Sequence, residues 1–139
     1  MFPLKIKFQR ELIVDIESKK IFDIIEKELI RLKIDEIELY DSQINFKNSL
    51  FNGQGRWHLM APIDKGYFKL NKTLGTLEYS ISVIRMFYIT LSMSFFFGLI
   101  SKSYWIGLFC FLWLFGMNMI LTLIRHNKFM NKLKKIITQ

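Results

Sequence analysis

The sequence predicts an α+β membrane protein with three parts. A small N-terminal domain, one helix on an antiparallel sheet, precedes a two-helix transmembrane hairpin and a basic amphipathic tail. Three observations predict this order. All 12 acidic residues lie between Glu11 and Glu78. Two long apolar runs follow them, and basic residues recur through 125–139. The predicted boundaries are 1–80 for the soluble domain, 81–124 for the hairpin and 125–139 for the tail.

The positive charge belongs to the membrane part of the chain. The net charge is +8, yet the first 78 residues carry 13 basic and 12 acidic side chains and are nearly neutral. A basic balance located around apolar segments indicates membrane topology rather than nucleic-acid binding. We therefore expect no nucleic-acid partner. The N-terminal residues contain no uninterrupted apolar run, so no cleavable signal peptide is expected.

The N-terminal domain opens with a strand and a helix. Residues 4–16 alternate between apolar and polar, and only Arg10 breaks the period of two, which favours a bulge or bend there. Ser18 can act as an N-cap. After it, apolar residues recur at helical spacing, which predicts a helix of about 15 residues ending near Lys33.

Five further strands complete the predicted β-α-β-β-β-β-β order. They cover 35–40, 43–48, 55–61, 67–70 and 76–80, separated by turn residues. This order is similar to the cystatin-like and helix-grip arrangements, in which a sheet wraps a helix. The similarity is one of element order over about 80 residues. It implies the fold alone, and no function follows from it.

The hairpin consists of two unequal apolar segments. Residues 104–124 form a charge-free run long enough to cross a bilayer core of about 30 Å. The first segment, 81–100, reaches that length only if Arg85 lies about one turn inside the boundary, where it can snorkel. Only three residues, Ser101 to Ser103, separate the segments, so the helices must run antiparallel.

The basic residues predict the orientation of the hairpin. Five flank its C-terminal end, against Lys102 alone in the turn. The positive-inside rule then places both termini in the cytoplasm and the turn outside, in a multi-pass protein of the inner (cytoplasmic) membrane. Frequent lysine, isoleucine and phenylalanine indicate an AT-rich bacterial source.

The antiparallel geometry predicts a set of helix–helix contact residues. The short turn places Arg85 level with Met119 and beside Asn118. Asn118 shares a face of the second helix with Gly107, Phe111, Leu114, Leu121 and Arg125. The predicted set is Arg85, Gly107, Phe111, Leu114 and Asn118. One interpretation is a local contact within the hairpin. The other is a polar site of Arg85 and Asn118, or a bond from Asn118 to a partner helix.

The tail is predicted to continue as an amphipathic helix. Phe129, Leu133, Ile136 and Ile137 recur at helical spacing, and we expect this face to lie on an anionic cytoplasmic leaflet. The predicted lipid contacts are Arg125, Lys128, Lys132, Lys134 and Lys135. In the alternative, these charges only fix topology. His126 is expected to be an interfacial residue rather than a ligand.

Catalytic and metal chemistry find little support in the residues. The soluble part has one histidine, His58, and the chain has one cysteine, Cys110, in an apolar run. Glu36 and Glu38 share a strand face, as solvated charges commonly do. We expect no enzyme activity, no cofactor and no metal.

Three functions remain open from the sequence. The first is a non-enzymatic adaptor or accessory subunit of a larger membrane complex or homo-oligomer. Its expected partners are membrane lipids and either another membrane protein or further copies of the chain. The second is a ligand- or lipid-binding sensor on a membrane anchor. The third is a pore-forming or membrane-perturbing effector. Leu50 and Phe51, at a predicted hairpin tip, are candidates for contact with a protein partner.

Overall fold

A computed structural model describes residues 4–12, 17–49 and 59–139 of the chain. Within these ranges it contains an antiparallel five-stranded sheet and three helices. The elements in chain order are β1 (Lys5–Glu11), α1 (Ser18–Arg31), β2 (Glu36–Leu39), β3 (Gln43–Lys47), β4 (Lys65–Asn71), β5 (Thr76–Ser82), α2 (Ile84–Ile100) and α3 (Tyr104–Thr138).

The sheet has the order β1-β5-β4-β3-β2, so the first strand pairs with the last. The register places Phe8 opposite Tyr79, Tyr79 opposite Phe68, and Phe68 opposite Ile44. Because partners in register point to the same face, these residues form one apolar row across four strands. The rings of Phe68 and Tyr79 stack with centroids 4.4 Å apart.

Three details of the predicted domain differ in the structure. The strand predicted over 55–61 is wrong for 59–61, which form a turn that delivers Ile63 to the core; residues 55–58 lie outside the described ranges. β1 runs in unbroken register to Glu11, so no bulge occurs at Arg10. Ser18 is the first helical residue, with Glu17 at the cap and no side-chain cap bond.

α3 is one continuous helix of 35 residues, about 52 Å long, and its two halves have different surroundings. Beyond Arg125, its apolar side chains enter the core between α1 and the sheet. The buried residues there are Phe129, Met130, Leu133 and Ile137. The expectation that this face lies on lipid is therefore wrong: burial against the sheet satisfies the same amphipathic pattern. Two helices, rather than the one predicted, cover the sheet.

α2 and the first half of α3 run antiparallel and pack against each other. By length and composition, α3 is the one described helix that could span a membrane; α2, with 17 residues, is a shorter apolar helix. Only 6% of the most apolar stretch of α3 is buried. An apolar helix that is almost wholly uncovered by its own chain presents its side chains to another apolar medium or to a partner.

Candidate functional site

The two apolar helices approach most closely at a pair of glycines near their turn. A Cβ added at Gly107 would lie 3.2 Å from the Cα of Gly98 and 3.1 Å from the carbonyl oxygen of Ser94. Farther from the turn, the ring of Phe87 packs edge-on against the ring of Phe111, with ring centroids 5.6 Å apart. Two of the predicted contact residues, Gly107 and Phe111, thus contact α2. Leu114 is half-buried.

Asn118 and Arg85 do not form the polar site that was one of the predicted alternatives. The Asn118 amide donates to the Leu114 carbonyl in its own helix at 2.7 Å, and the side chain is exposed. Arg85 faces the sheet domain instead. A polar side chain on an isolated helix turns back to the nearest free lone pair, which explains the local bond of Asn118.

Arg85 fastens the start of α2 to the sheet domain. Its guanidinium donates to the carbonyl oxygens of Asn48, Ser49 and Ile63, the last at 3.3 Å. Val83 is the single residue between β5 and α2, and it is fully buried. A planar guanidinium with several donors can bind several carbonyl oxygens at once. The junction between the domain and the hairpin is therefore tightly constrained.

The surface of the hairpin facing away from the domain core is an aromatic and aliphatic band. Its most exposed members include Phe95, Phe96, Ile100, Trp105, Phe109 and Trp113. Their exposure ranges from 61 to 80%. A contiguous apolar surface of this kind marks a lipid or protein contact.

A buried pair of polar side chains joins β5 to α3 just beyond the hairpin. His126 is 0% exposed; its Nε2 donates to the Leu59 carbonyl at 3.1 Å, and its Nδ1 accepts from the Tyr79 hydroxyl at 2.8 Å. Both are satisfied as neutral groups. Burial lowers the pKa of His126 to about 4 and raises the pKa of Tyr79 well above its ordinary value. The predicted interfacial position of His126 is wrong, because the domain core encloses its ring.

Further polar contacts hold the tail half of α3 against the domain. Arg10 donates to the side-chain oxygens of Asn127 and Asn131. Lys132, one of the predicted lipid contacts, lies 3.4 Å from Glu28 of α1. Arg10 therefore interrupts the apolar alternation of β1 because it reaches polar residues of α3.

The remaining basic residues predicted to contact lipid keep accessible surface. Lys128 and Lys135 are exposed, and Arg125 and Lys134 are half-buried. Their contact with anionic lipid stays a prediction. Along a helix leading away from the hairpin at 1.5 Å per residue, Lys135 lies about 15 Å beyond Arg125.

The outer face of the sheet, opposite the helices, forms a polar groove of about 390 Å³. Alternation along the strands brings charged and hydroxyl side chains to this face. The groove residues used below are Lys5, Lys47, Lys65, Glu36, Glu38 and Ser82. Gly66 beneath it has no side chain because a Cβ would fall on the Ser80 carbonyl and the Phe46 ring. The groove thus has a glycine-lined floor and a charged rim.

Three carboxylates on the outer face, those of Glu78, Glu36 and Glu38, already have partners. Glu78 accepts from the Tyr67 hydroxyl at 2.7 Å and pairs with Lys7 at 3.3 Å, and the Tyr67 bond is the main cause that holds the pKa of Glu78 below its usual range. Glu36 lies 3.9 Å from Lys47, and Glu38 accepts from the Tyr40 hydroxyl.

Leu50, Phe51 and His58 lie outside the described ranges. Over residues 4–12, 17–49 and 59–139, no three His, Cys, Asp or Glu side chains come together as a metal site would require. Comparison of the chain with family models, with curated proteins and with solved structures found no match. The function is therefore argued from the geometry.

Proposed function

We propose that this chain is a non-enzymatic integral membrane protein that serves as an adaptor or accessory subunit. In this proposal α2 and the first half of α3 cross the inner membrane as a hairpin. Both termini and the sheet domain lie in the cytoplasm. The observation that carries the proposal is the division of α3 into an exposed apolar half and a half buried in the domain core.

The membrane placement is supported by the energetics of the apolar band. Trp105, Phe109 and Trp113 each expose more than half of their surface. Exposing apolar surface to water costs roughly 25 cal/mol per Å², so a hairpin of this composition is unstable in water without a cover. Lipid supplies that cover along the whole band. α2 is short for a span, and a tilted partner helix or local thinning accommodates the difference.

The adaptor role is supported by how the domain is held. Arg85 and Val83 fix one end of α2 to the sheet, and α3 passes from the hairpin into the core without a break. Such a connection presents the domain in one orientation relative to the bilayer. A fixed orientation suits a subunit that docks on a neighbour in the membrane plane.

Close packing between the helices and the sheet favours the adaptor over a sensor with an internal cavity. Ile25, Leu29, Met130 and Leu133 are each 0% exposed where α1 and α3 meet the sheet. Side chains so fully covered by their neighbours support a packed core rather than a ligand cavity between these layers.

Membrane insertion is tested by extraction and by labelling. The protein is expected to remain with membranes after alkaline carbonate treatment. With Lys102→Cys in a Cys110→Ser background, a membrane-impermeant maleimide should label the turn in intact spheroplasts. Lys69→Cys, on the sheet domain, should react only after permeabilisation. Release by carbonate, or the reverse labelling pattern, overturns the placement.

The adaptor role is tested by purification from the native source in a mild detergent. A specific membrane protein, or a second copy of the chain, should co-purify at fixed stoichiometry. A matched variant with Trp105→Ala and Trp113→Ala tests which surface makes the contact. Loss of co-purification assigns the contact to the hairpin band, and retained co-purification assigns it to the domain. A strictly monomeric particle without a partner overturns the role.

A further inference from the structure

We propose that the outer face of the sheet carries a binding site for a phosphate group, formed by Lys5, Lys65 and Ser82 with Lys47 beside them. Nothing in the adaptor proposal uses this face. The site itself does not depend on that proposal, but its lipid form rests on the proposed membrane span.

The register brings these side chains into one row. Lys5 pairs with Ser82 in β1 and β5. Gly66 pairs with Ile81, so the preceding residue, Lys65, lies opposite Ser82 on the same face. Lys47 pairs with Lys65 in β3 and β4. The hydroxyl thus lies between two lysines, with a third lysine one strand further.

Two of the three lysines in this row, Lys5 and Lys65, have no acidic partner in the described part of the chain. Within the described ranges, neither Lys5 nor Lys65 makes an ion pair or a side-chain hydrogen bond. Lys47 and Lys65 face each other as like charges, an arrangement that destabilises a sheet unless an anion lies between them. Glu36, the nearest acid of the row, is 3.9 Å from Lys47. An anion bound between Lys5 and Lys65 would remove the imbalance.

Ser82 supplies an independent sign of a missing partner. Its residue is 2% exposed, and its hydroxyl makes no hydrogen bond within the described part of the chain. A buried polar atom without a partner costs free energy, and a hydroxyl in this state between Lys5 and Lys65 supports a bound anion there. The hydroxyl is almost covered in this conformation. Ser82 nevertheless lines the groove, where its hydroxyl can donate to a phosphate oxygen.

The chemistry of the row fits a phosphate better than a carboxylate. Two ammonium groups flanking one hydroxyl, with a third one strand further, offer several donors in different directions, as a tetrahedral anion with three free oxygens requires. A planar carboxylate is matched by a planar guanidinium, and the row contains no arginine.

The row lies at the end of the sheet from which the hairpin leaves. Ser82 ends β5, and α2 begins at Ile84. Lys5, at the start of antiparallel β1, lies at the same end. With the hairpin in a bilayer, the row therefore stands near the headgroups, where an anionic phospholipid supplies the phosphate. A soluble phosphorylated molecule supplies the same chemistry.

The first arm of the test uses the full chain in a non-ionic detergent, titrated with inorganic phosphate and with glycerol 3-phosphate by calorimetry. The variant is Lys5→Gln with Lys65→Gln. We expect this double variant to bind at least about tenfold more weakly than the unaltered protein. Each of the two lysines contributes a similar share of the binding free energy, and the variant lacks both. Ser82→Ala, which preserves the fold, should weaken binding as well. Lys69→Gln, on the same face at the far end of β4, is the matched control and should bind normally.

The second arm uses nanodiscs of phosphatidylcholine alone or with phosphatidic acid. If the source is lipid, phosphatidic acid raises the unfolding temperature of the unaltered protein and of Lys69→Gln, but not of Lys5→Gln with Lys65→Gln. If the source is soluble, the first arm alone gives binding. Equal behaviour of the double variant and the unaltered protein in both arms, or binding by neither, overturns the site. Carbonate extraction of the same samples judges the membrane span separately.

Discussion

The Tyr79 hydroxyl donates a 2.8 Å hydrogen bond to Nδ1 of His126, which lies 47 residues later in the chain, beyond α2 and the exposed apolar half of α3. The bond closes the sheet domain around residues that follow the hairpin. The second ring nitrogen donates to the Leu59 carbonyl, so both nitrogens of the neutral ring have partners. Protonation of Nδ1 would remove the lone pair that accepts from Tyr79.

This pair makes the stability of the domain sensitive to acid. The pKa of His126 is about 4 in the fold and ordinarily 6.5, so the unfolded chain takes up the proton first as the pH falls. Its stabilising contribution is complete above pH 6.5 and declines toward pH 4. We expect a loss of about 3 kcal/mol over that window, about 2 kcal/mol of it by pH 5. Thermal unfolding of the full chain in non-ionic detergent measures it.

Two variants attribute the effect to His126. His58→Gln removes the other histidine of the chain, and the acid sensitivity should persist. Adding Tyr79→Phe and His126→Leu, which replaces both partners by apolar groups, should flatten the profile between pH 7 and pH 5. A steep profile in that combined variant would show that another group is responsible.

The tail half of α3 is expected to act as part of the domain core. Leu133→Ala removes a fully buried side chain and should lower the stability of the domain by about 2–5 kcal/mol. Hydrogen exchange of the backbone amides of Phe68 and Tyr79, measured in detergent, reports this loss of stability. Leu112→Ala, the same change at a 62% exposed site of the same helix, should leave their exchange unchanged. Equal exchange in the two variants would contradict the core position of the tail.

The glycine contact is expected to control hairpin packing. Gly107→Ala introduces a Cβ 3.1 Å from the Ser94 carbonyl, so the helices must separate slightly, at a cost of about 1–3 kcal/mol. At Gly116 a Cβ meets nothing within 4 Å. Gly116→Ala should therefore be neutral or stabilise the helix by up to about 1 kcal/mol. Unfolding in detergent compares the two, and a larger loss at Gly116 would refute this packing.

Arg85 is expected to contribute more to stability than Asn118, although the sequence pattern placed both in one contact set. Arg85→Lys retains the charge but loses the planar set of donors to Asn48 and Ile63, and should cost about 1–3 kcal/mol. Asn118→Ala removes an exposed bond within one helix turn and should change stability by less than about 0.5 kcal/mol. Faster exchange of the Asn48 amide in Arg85→Lys alone is the expected signature. Equal effects would restore the predicted Arg85–Asn118 pair.

Local patterns in the sequence predicted most of the helices and strands of the fold. Alternation and helical spacing predicted β1, α1, β2, β3 and the antiparallel course of the two apolar helices. The same patterns could not say what covers an apolar face: Phe129 and Leu133 have one spacing whether they meet lipid or a sheet. That choice depends on long-range packing between β5 and α3.

The candidate sites show the same division. Alternation placed Lys5 on the polar face of its strand, but its meeting with Ser82 and Lys65 required the register of three strands. A buried His126 was also beyond local pattern, since its partner Tyr79 is distant in sequence. One signal was available: Arg10 broke an otherwise regular strand, and it contacts α3 through Asn127 and Asn131.

The placement of residues 129–137 in the domain core has a consequence for biosynthesis. The ribosome makes β1 to β5 first and both apolar helices next, and only then the side chains that close the core. Until α3 is made, the part of the sheet face that Phe129, Met130, Leu133 and Ile137 cover stays open. In the proposed membrane placement, the fold is therefore completed only after the hairpin inserts, and a chain stalled between these steps is expected to be a substrate for chaperones or proteases.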